Sequence, residues 1–166
     1  PLPESDTGII SPQAVELINR EIENYDVLLI GCGLGQSEPV TEFVKSLLLE
    51  RKTALTQTVI DADALNILAE TPDWWQQLDA DCILTPHPGE MARLTGISID
   101  EVQSDRVGIA VKAARKWKKT VVLKGACTVV ATPEGQSKIS PVANPGLASA
   151  GTGDVLAGAI AGLAAQ

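Results

Sequence analysis

Four short apolar runs, each ending in a glycine-rich or polar motif, constrain this chain more than any other feature of it. They fall at 26–30, 56–60, 82–85 and 120–123. They lead into Gly31-Cys-Gly-Leu-Gly35, Asp61-Ala-Asp-Ala-Leu65, Pro86-His-Pro-Gly-Glu90 and Lys124-Gly-Ala-Cys-Thr128. Intervening segments, such as 38–51 and 105–119, read as helices. Strands alternating with helices predict an α/β fold, with a mostly parallel sheet and helices on both faces. Ligands of such sheets gather beyond the carboxyl ends of the strands, so the four motifs are expected to share one rim.

The flanking segments fit the same plan. Val15, Ile18 and Ile22 predict a helix over 11–25, with Ser11 as N-cap and Pro12 at the first helical position. A short helix is expected from 61–65, a brief surface helical turn at 72–77, and a helix beginning at Gly89 that Gly96 closes. The basic tail Arg115-Lys-Trp-Lys-Lys119 suits a solvated helix carboxyl end. Residues 129–132 and 137–140 predict a hairpin across Pro133-Glu-Gly135. A chain of 166 residues has the length of one domain with a real core, taken as 1–166.

Charge and composition narrow the function. A net charge of −8 argues against a nucleic-acid surface, which needs a basic face. No run of eighteen uncharged apolar residues occurs, so no membrane span is expected, and the amino end does not read as a signal peptide. Cys32, Cys82 and Cys127 are odd in number and widely spaced, and they read as reduced thiols in packed positions of a cytoplasmic protein. His87 is the sole histidine, which rules out a histidine-based metal cluster.

The segment Asn144-Pro-Gly-Leu-Ala-Ser-Ala-Gly-Thr-Gly-Asp154 is expected to close the rim. Gly146, Gly151 and Gly153 let its backbone approach a ligand, and the apolar run after Asp154 reads as a buried helix. Free N–H groups at that helix start form a seat for phosphate. Beside such a seat a carboxylate is repelled unless it has a task, such as taking a proton from a hydroxyl. On spacing alone, Asp154 fits that task and a plain helix cap equally well.

The other rim residues each have a functional and a structural reading. Gly31, Gly33 and Gly35 either face a ligand or make a strand-to-helix turn; their spacing is not the dinucleotide fingerprint. Asp61 and Asp63 either hold a metal through water or cap the next helix, and the cap is preferred. His87, between two prolines, is placed for ligand contact. Glu90 either joins a magnesium site or simply meets the positive pole of its helix. Lys124 reaches phosphate oxygens, or else snorkels along the sheet; Gly125 and the Thr128 hydroxyl offer further contacts. No Walker-type phosphate loop is present.

At Leu84-Thr-Pro-His-Pro-Gly-Glu-Met-Ala-Arg-Leu94 and Asn144-Pro-Gly-Leu-Ala-Ser-Ala-Gly-Thr-Gly-Asp-Val-Leu-Ala-Gly158 the chain closely resembles the NAD(P)H-hydrate dehydratases, ribokinase-like repair enzymes. Gly-x-Gly-Leu-Gly, Asp-Ala-Asp-Ala-Leu and Lys-Gly-x-x-Thr follow in that family's order, and the resemblance covers nearly the whole chain. It implies phosphorylation of the hydroxyl of hydrated NADH or NADPH by ADP or ATP, then loss of phosphate to restore the cofactor. By the same resemblance Asp154 is the base, and Gly151, Thr152 and Gly153 stabilise the transferring phosphoryl group. Gly33, His87 and Asp154 bind the hydrate. Lys124, Gly125, Ala126, Cys127, Thr128 and Gly153 hold the adenine nucleotide. Magnesium is implied as cofactor, with Glu90 acting on it through water. A homo-oligomer is the expected assembly. Cys32 stands where the family commonly has proline, and the family's amino-terminal strands and helical tail are missing, so the chain is expected to be part of a domain. A small-molecule kinase of the same fold and a non-catalytic nucleotide-binding remnant are the alternatives.

Overall fold

The computed structural model of the protein describes residues 1–50 and 57–166. The chain starts with a small antiparallel hairpin, β1 (Glu4–Asp6) and β2 (Ile9–Ile10), which the sequence reading did not anticipate. Next come α1 (Ala14–Glu21), β3 (Val27–Ile30) and α2 (Glu38–Leu48). They are followed by β4 (Gln57–Ile60), α3 (Ala62–Ala69), α4 (Trp74–Gln77) and β5 (Cys82–Leu84). The chain continues through α5 (Pro88–Thr95), α6 (Ile99–Ser104), α7 (Arg106–Trp117), β6 (Thr120–Leu123), β7 (Val129–Ala131), β8 (Ser137–Ile139) and α8 (Thr152–Ala164). Arg51 and Thr56, the expected end of one helix and start of one strand, lie outside the described residues.

The main sheet has the order β3-β4-β5-β6-β7-β8. Its first four strands are parallel, and β7 and β8 add an antiparallel hairpin at one edge, as the turn residues predicted. One face carries Ile30, Ile60, Leu84, Val121 and Ala131, which pair in register across the sheet. Helices supply its partners: Val40, Phe43, Val44, Leu47 and Leu48 of α2 recur at helical spacing and are all buried. Burying an aliphatic side chain of this kind contributes about 1.5–3 kcal/mol before entropy is counted. Against the opposite face, which carries the fully buried Val59, α8 packs on β3 and β4. The result is a mixed sheet flanked by helices.

Several local expectations need correction. Ser11 is buried and its hydroxyl accepts the Gln13 N–H at 3.3 Å, but the helix starts only at Ala14, after a turn through Pro12 and Gln13. The turn at 72–77 lies at the surface, with Pro72, Asp73, Gln76 and Gln77 exposed, but Trp74 points inward: it is 1% exposed, and its ring lies 5.2 Å from that of Trp117 on α7. The basic tail of α7 is only partly solvated. Lys119 is buried with its ammonium donating to Ala80 O at 2.6 Å, and Lys116 Nζ stands 4.1 Å over the Trp75 ring. α6 was not expected, although Ser98 and Glu101 form a capping box and had the spacing that signals one. The helix after Asp154 is largely exposed, Ala157 being its buried residue, because among the described residues only the β3–β4 side covers it. Cys82 is buried and Cys32 half-buried as expected, whereas Cys127 is exposed at a turn with φ of 55°.

Gly31 ties the sheet to the rim. Its φ is +126°, and a Cβ there would sit 1.8 Å from the carbonyl oxygen of Asp61. The Asp61 N–H in turn donates to Ile30 O at 3.1 Å, so the two strand ends interlock with no room for a side chain. Gly31→Ala is expected to cost about 3 kcal/mol, combining overpacking with backbone strain. Urea denaturation of the full-length protein checks this; a loss below about 1 kcal/mol would show that the junction yields.

Candidate active site

Asp61, at the end of β4, is the hub of the rim. It is 1% exposed, and its Oδ1 accepts the Ala62 N–H at 2.8 Å and the Lys124 ammonium at 2.5 Å. The preferred reading of Asp61 as a cap therefore holds, with an ion pair added. Asp63 behaves otherwise: it accepts from Gly35 N at 2.8 Å and from Gln36 Nε2 at 2.9 Å, and so pins the 31–35 loop. Gly33, exposed with φ of +70°, is carried on that loop.

Lys124 leaves β6 and bridges two acids. Its Nζ is 2.5 Å from Asp61 Oδ1 and 3.9 Å from Glu90 Oε2. The ammonium is thus neither free nor snorkelling to water; a phosphate would share it with Asp61. Glu90 is enclosed. Its Oε2 accepts the His87 N–H at 2.7 Å, and burial raises its pKa against the opposing His87 hydrogen bond and Lys124 charge. His87 completes a reciprocal cap of α5, its Nδ1 accepting from Gly89 N at 2.9 Å and Glu90 N at 3.3 Å. Since Nδ1 accepts, the ring proton sits on Nε2, 3.4 Å from Glu90 Oε1, and the contact is that of a neutral imidazole. Burial, helped by Lys124 and Arg93, lowers the His87 pKa, in keeping with that state.

Asp154 is not the cap of its helix. The N-cap of α8 is Gly151, in the left-handed region with no side-chain bond, and Asp154 is an exposed first-turn residue. Cys32 Sγ and one carboxylate oxygen from each of Asp61 and Asp154 lie within 4.8 Å of one another. The Cys32 thiol hydrogen-bonds the Asp154 carboxylate. Burial, that bond and the charge of Asp61 push its pKa up to about 11. On the same turn Gly153 approaches the ion pair, where an added Cβ would be 3.6 Å from Lys124 Nζ and 4.0 Å from Asp61 Oδ2. An unbroken series of contacts therefore runs from Asp154 through Asp61, Lys124 and Glu90 to His87. The five come from four parts of the shared rim, His87 and Glu90 sharing the start of α5.

The turn 151–153 borders a cavity of about 910 Å³, whose walls also include Lys124, Gly125, Ala126 and Thr128. Asp154, His87 and Gly33 are not among its walls, and neither is Cys127. The Thr128 hydroxyl donates to Gly125 O at 3.1 Å, and that of Thr152 to Leu147 O at 2.8 Å and Ser149 O at 2.7 Å. Both hydroxyls thus hold loops in shape. In a helix that begins at Thr152, the N–H groups of Gly153 and Asp154 have no intrahelical acceptor, which keeps the anion seat open. The loop contact of Asp63, the hydrogen bond between Cys32 and Asp154 and the capping role of His87 are not legible in the sequence, since each depends on a contact between distant segments or on ring orientation.

The family model for NAD(P)H-hydrate dehydratase matches residues 6–166. The chain belongs to that family. A bifunctional NAD(P)H-hydrate repair enzyme from Moorella thermoacetica is 46% identical over 99% of this chain and 31% of its own length. The ADP-dependent (S)-NAD(P)H-hydrate dehydratase of Neisseria meningitidis is 40% identical over 87% of this chain and 49% of its own. The chain thus spans about a third to a half of these dehydratase relatives. Among solved structures, the ADP/ATP-dependent NAD(P)H-hydrate dehydratase of Bacillus subtilis, co-crystallised with ATP and Mg²⁺, superposes with a TM-score of 0.72 at 32% identity. That match covers 94% of this chain and 62% of the Bacillus chain. A ribokinase-like superfamily protein from Enterococcus faecalis gives 0.76 at 28% identity, covering 95% and 53%. The ribokinase-like α/β fold expected from the motifs is therefore the one present.

Two outcomes are expected. His87 has a folded-state pKa below its free value of 6.5, so the stability from its cap is full above that value and is lost as the pH falls through the folded pKa. The advantage of the natural protein over His87→Ala should be about 1 kcal/mol at pH 8 and shrink below pH ~6. Denaturant melts across that range check this; an advantage constant down to pH ~4 would contradict it. Thiol alkylation tests the other side of the rim. Cys127 should react at neutral pH, Cys32 only as the pH nears about 11, and Cys82, raised by burial to about 12, on unfolding. Asp154→Asn should bring the Cys32 reaction to lower pH; an unchanged profile would separate the two groups.

Proposed function

We propose that this chain carries the site of a nucleotide-dependent dehydration of hydrated NADH and NADPH, a metabolite-repair reaction, and that residues 1–166 are part of one ribokinase-like domain. What supports this most is the placement of Asp154: an exposed carboxylate with no capping duty, beside a glycine turn whose far side is a cavity of nucleotide size. The relatives named as dehydratases point to the same chemistry.

In this reading the adenine nucleotide, ADP or ATP, occupies the cavity against Lys124, Gly125, Ala126, Thr128 and Gly153. Cys127 shapes the turn through its backbone. The terminal phosphoryl group meets Gly151, Thr152 and Gly153, where open N–H groups offset its developing charge. The hydrate lies on the other side with Gly33 and His87, the neutral His87 ring offering its Nε2–H. Asp154 takes the hydroxyl proton as the oxygen attacks phosphorus and the terminal phosphate bond of the nucleotide breaks. Loss of phosphate from the ring carbon, with a ring proton, then restores the dihydronicotinamide.

Magnesium, when bound, neutralises phosphoryl charge. Such an ion keeps most of its waters. The enclosed Glu90 would reach it only through water, and Asp154 stays free to take the proton. A homo-oligomer belongs to the same reading and is supported by the exposed Leu163 of α8, which lies away from the cavity wall. A cytoplasmic location is supported by three free thiols. Among the described residues no helix is long and apolar enough to cross a membrane.

Full-length protein given hydrated NADH, ADP or ATP, and magnesium should regain the absorbance of the reduced nicotinamide and release phosphate. No recovery with either nucleotide would overturn the proposal, and a stable phosphorylated product would indicate a kinase. Asp154→Asn should lower kcat by about 10²–10⁴-fold, the usual worth of a general base, with nucleotide affinity within about twofold.

A further inference from the structure

Arg106 lies outside the site described above, yet its guanidinium is spent on the wall of the nucleotide cavity. It is the first residue of α7, next to the Asp105 cap, whose Oδ1 accepts Gly108 N at 2.9 Å. A cation at the positive pole of a helix is unfavourable, and burial lowers its pKa further. Among the described residues no carboxylate pairs with it within 4.0 Å, and its Nε is buried without a partner. Instead, Nη2 donates to Leu123 O and to Lys124 O, each at 3.1 Å, while Nη1 donates to Gln103 Oε1 at 3.0 Å. The guanidinium covers Gly125, whose φ is +137°. A Cβ there would stand 3.1 Å from Nη2.

A charged side chain kept at such cost without a counter-charge implies a positional task. Lys124 and Gly125 both line the cavity. Holding the Lys124 carbonyl sets the plane of the peptide between them. That plane and the unusual φ of Gly125 fix where the turn 125–128 starts, and the Thr128 hydroxyl closes the same turn onto Gly125 O. We propose that Arg106 is a positioning residue of the nucleotide wall, its Nη2 bridging two consecutive carbonyls while Nη1 is anchored on Gln103, so that the guanidinium plane sets the course of the 124–128 turn. The proposal rests on the nucleotide reading above. It depends on that plane and not on charge alone, because the single ammonium of Lys keeps the charge but has no second nitrogen on Gln103 to fix the direction from which the carbonyls are met.

The test uses full-length protein, Arg106→Lys and Arg106→Gln, with two readouts. Amide hydrogen exchange at 125–128 should quicken by about tenfold or more in both variants, while exchange in α2 is unchanged. AMP affinity by calorimetry should fall by about tenfold in both, the size of one lost charge-assisted hydrogen bond. Turnover should show the loss in KM for nucleotide and not in kcat. Unchanged exchange in Arg106→Lys, or its AMP affinity equal to that of the natural protein, would overturn the inference. Natural protein that binds no AMP would instead overturn the nucleotide reading, whatever the exchange shows.

Discussion

The buried ion pair between Asp61 and Lys124 is the interaction on which the rest of the rim depends. It joins the ends of β4 and β6, two strands that are not neighbours in the sheet. Through it, Asp61 also caps α3, while its backbone interlocks with Ile30 and Gly31. Removing Lys124 would leave the buried Asp61 carboxylate without its counter-charge, which commonly costs several kcal/mol. The pair is therefore as much a constraint on geometry as a source of affinity. The glycine turn before Asp154 is shaped to it, since Gly153 stands close to both groups.

A second consequence is electrostatic. Two acids, Asp61 and Glu90, flank the Lys124 ammonium, and the Asp154 carboxylate lies close to that of Asp61. Burial holds the Glu90 pKa up, and the Cys32 thiol beside Asp154 is held firmly protonated. Such a surplus of negative charge suits a base that must accept a proton. It also explains why a phosphoryl donor there would need a divalent cation and the helix pole of α8 to offset its own charge. The turn 151–153 then stands between the cavity behind it and the exposed Asp154 carboxylate in front.

Much of the fold was legible in the sequence. The four apolar runs, the alternation with helices and the β7–β8 hairpin follow from local periodicity and turn chemistry, and all appear in the sheet. Misreadings arose where packing overrode a local signal. The 72–77 turn lies on the surface as its residues imply, but the burial of Trp74 comes from its contact with Trp117, far away in the chain. The small apolar residues of α8 promised burial, but burial needs a partner layer, and among the described residues α8 packs chiefly on β3 and β4. The α6 capping box was legible and overlooked.

For the rim, the sequence by itself determined which residue types stand at the strand ends and that those ends converge, because parallel strands joined by helices all point the same way. It could not say which group meets which. The cap on α8 is Gly151 and not Asp154; His87 turns Nδ1 to its own helix; Asp63 pins a loop 28 residues away; Arg106 reaches back to β6. Each is a matter of about an ångström and of side-chain direction, fixed by contacts between segments far apart in the chain. Spacing along a sequence carries the periodicity of strands and helices, but distances across the rim exist only once the sheet has been assembled.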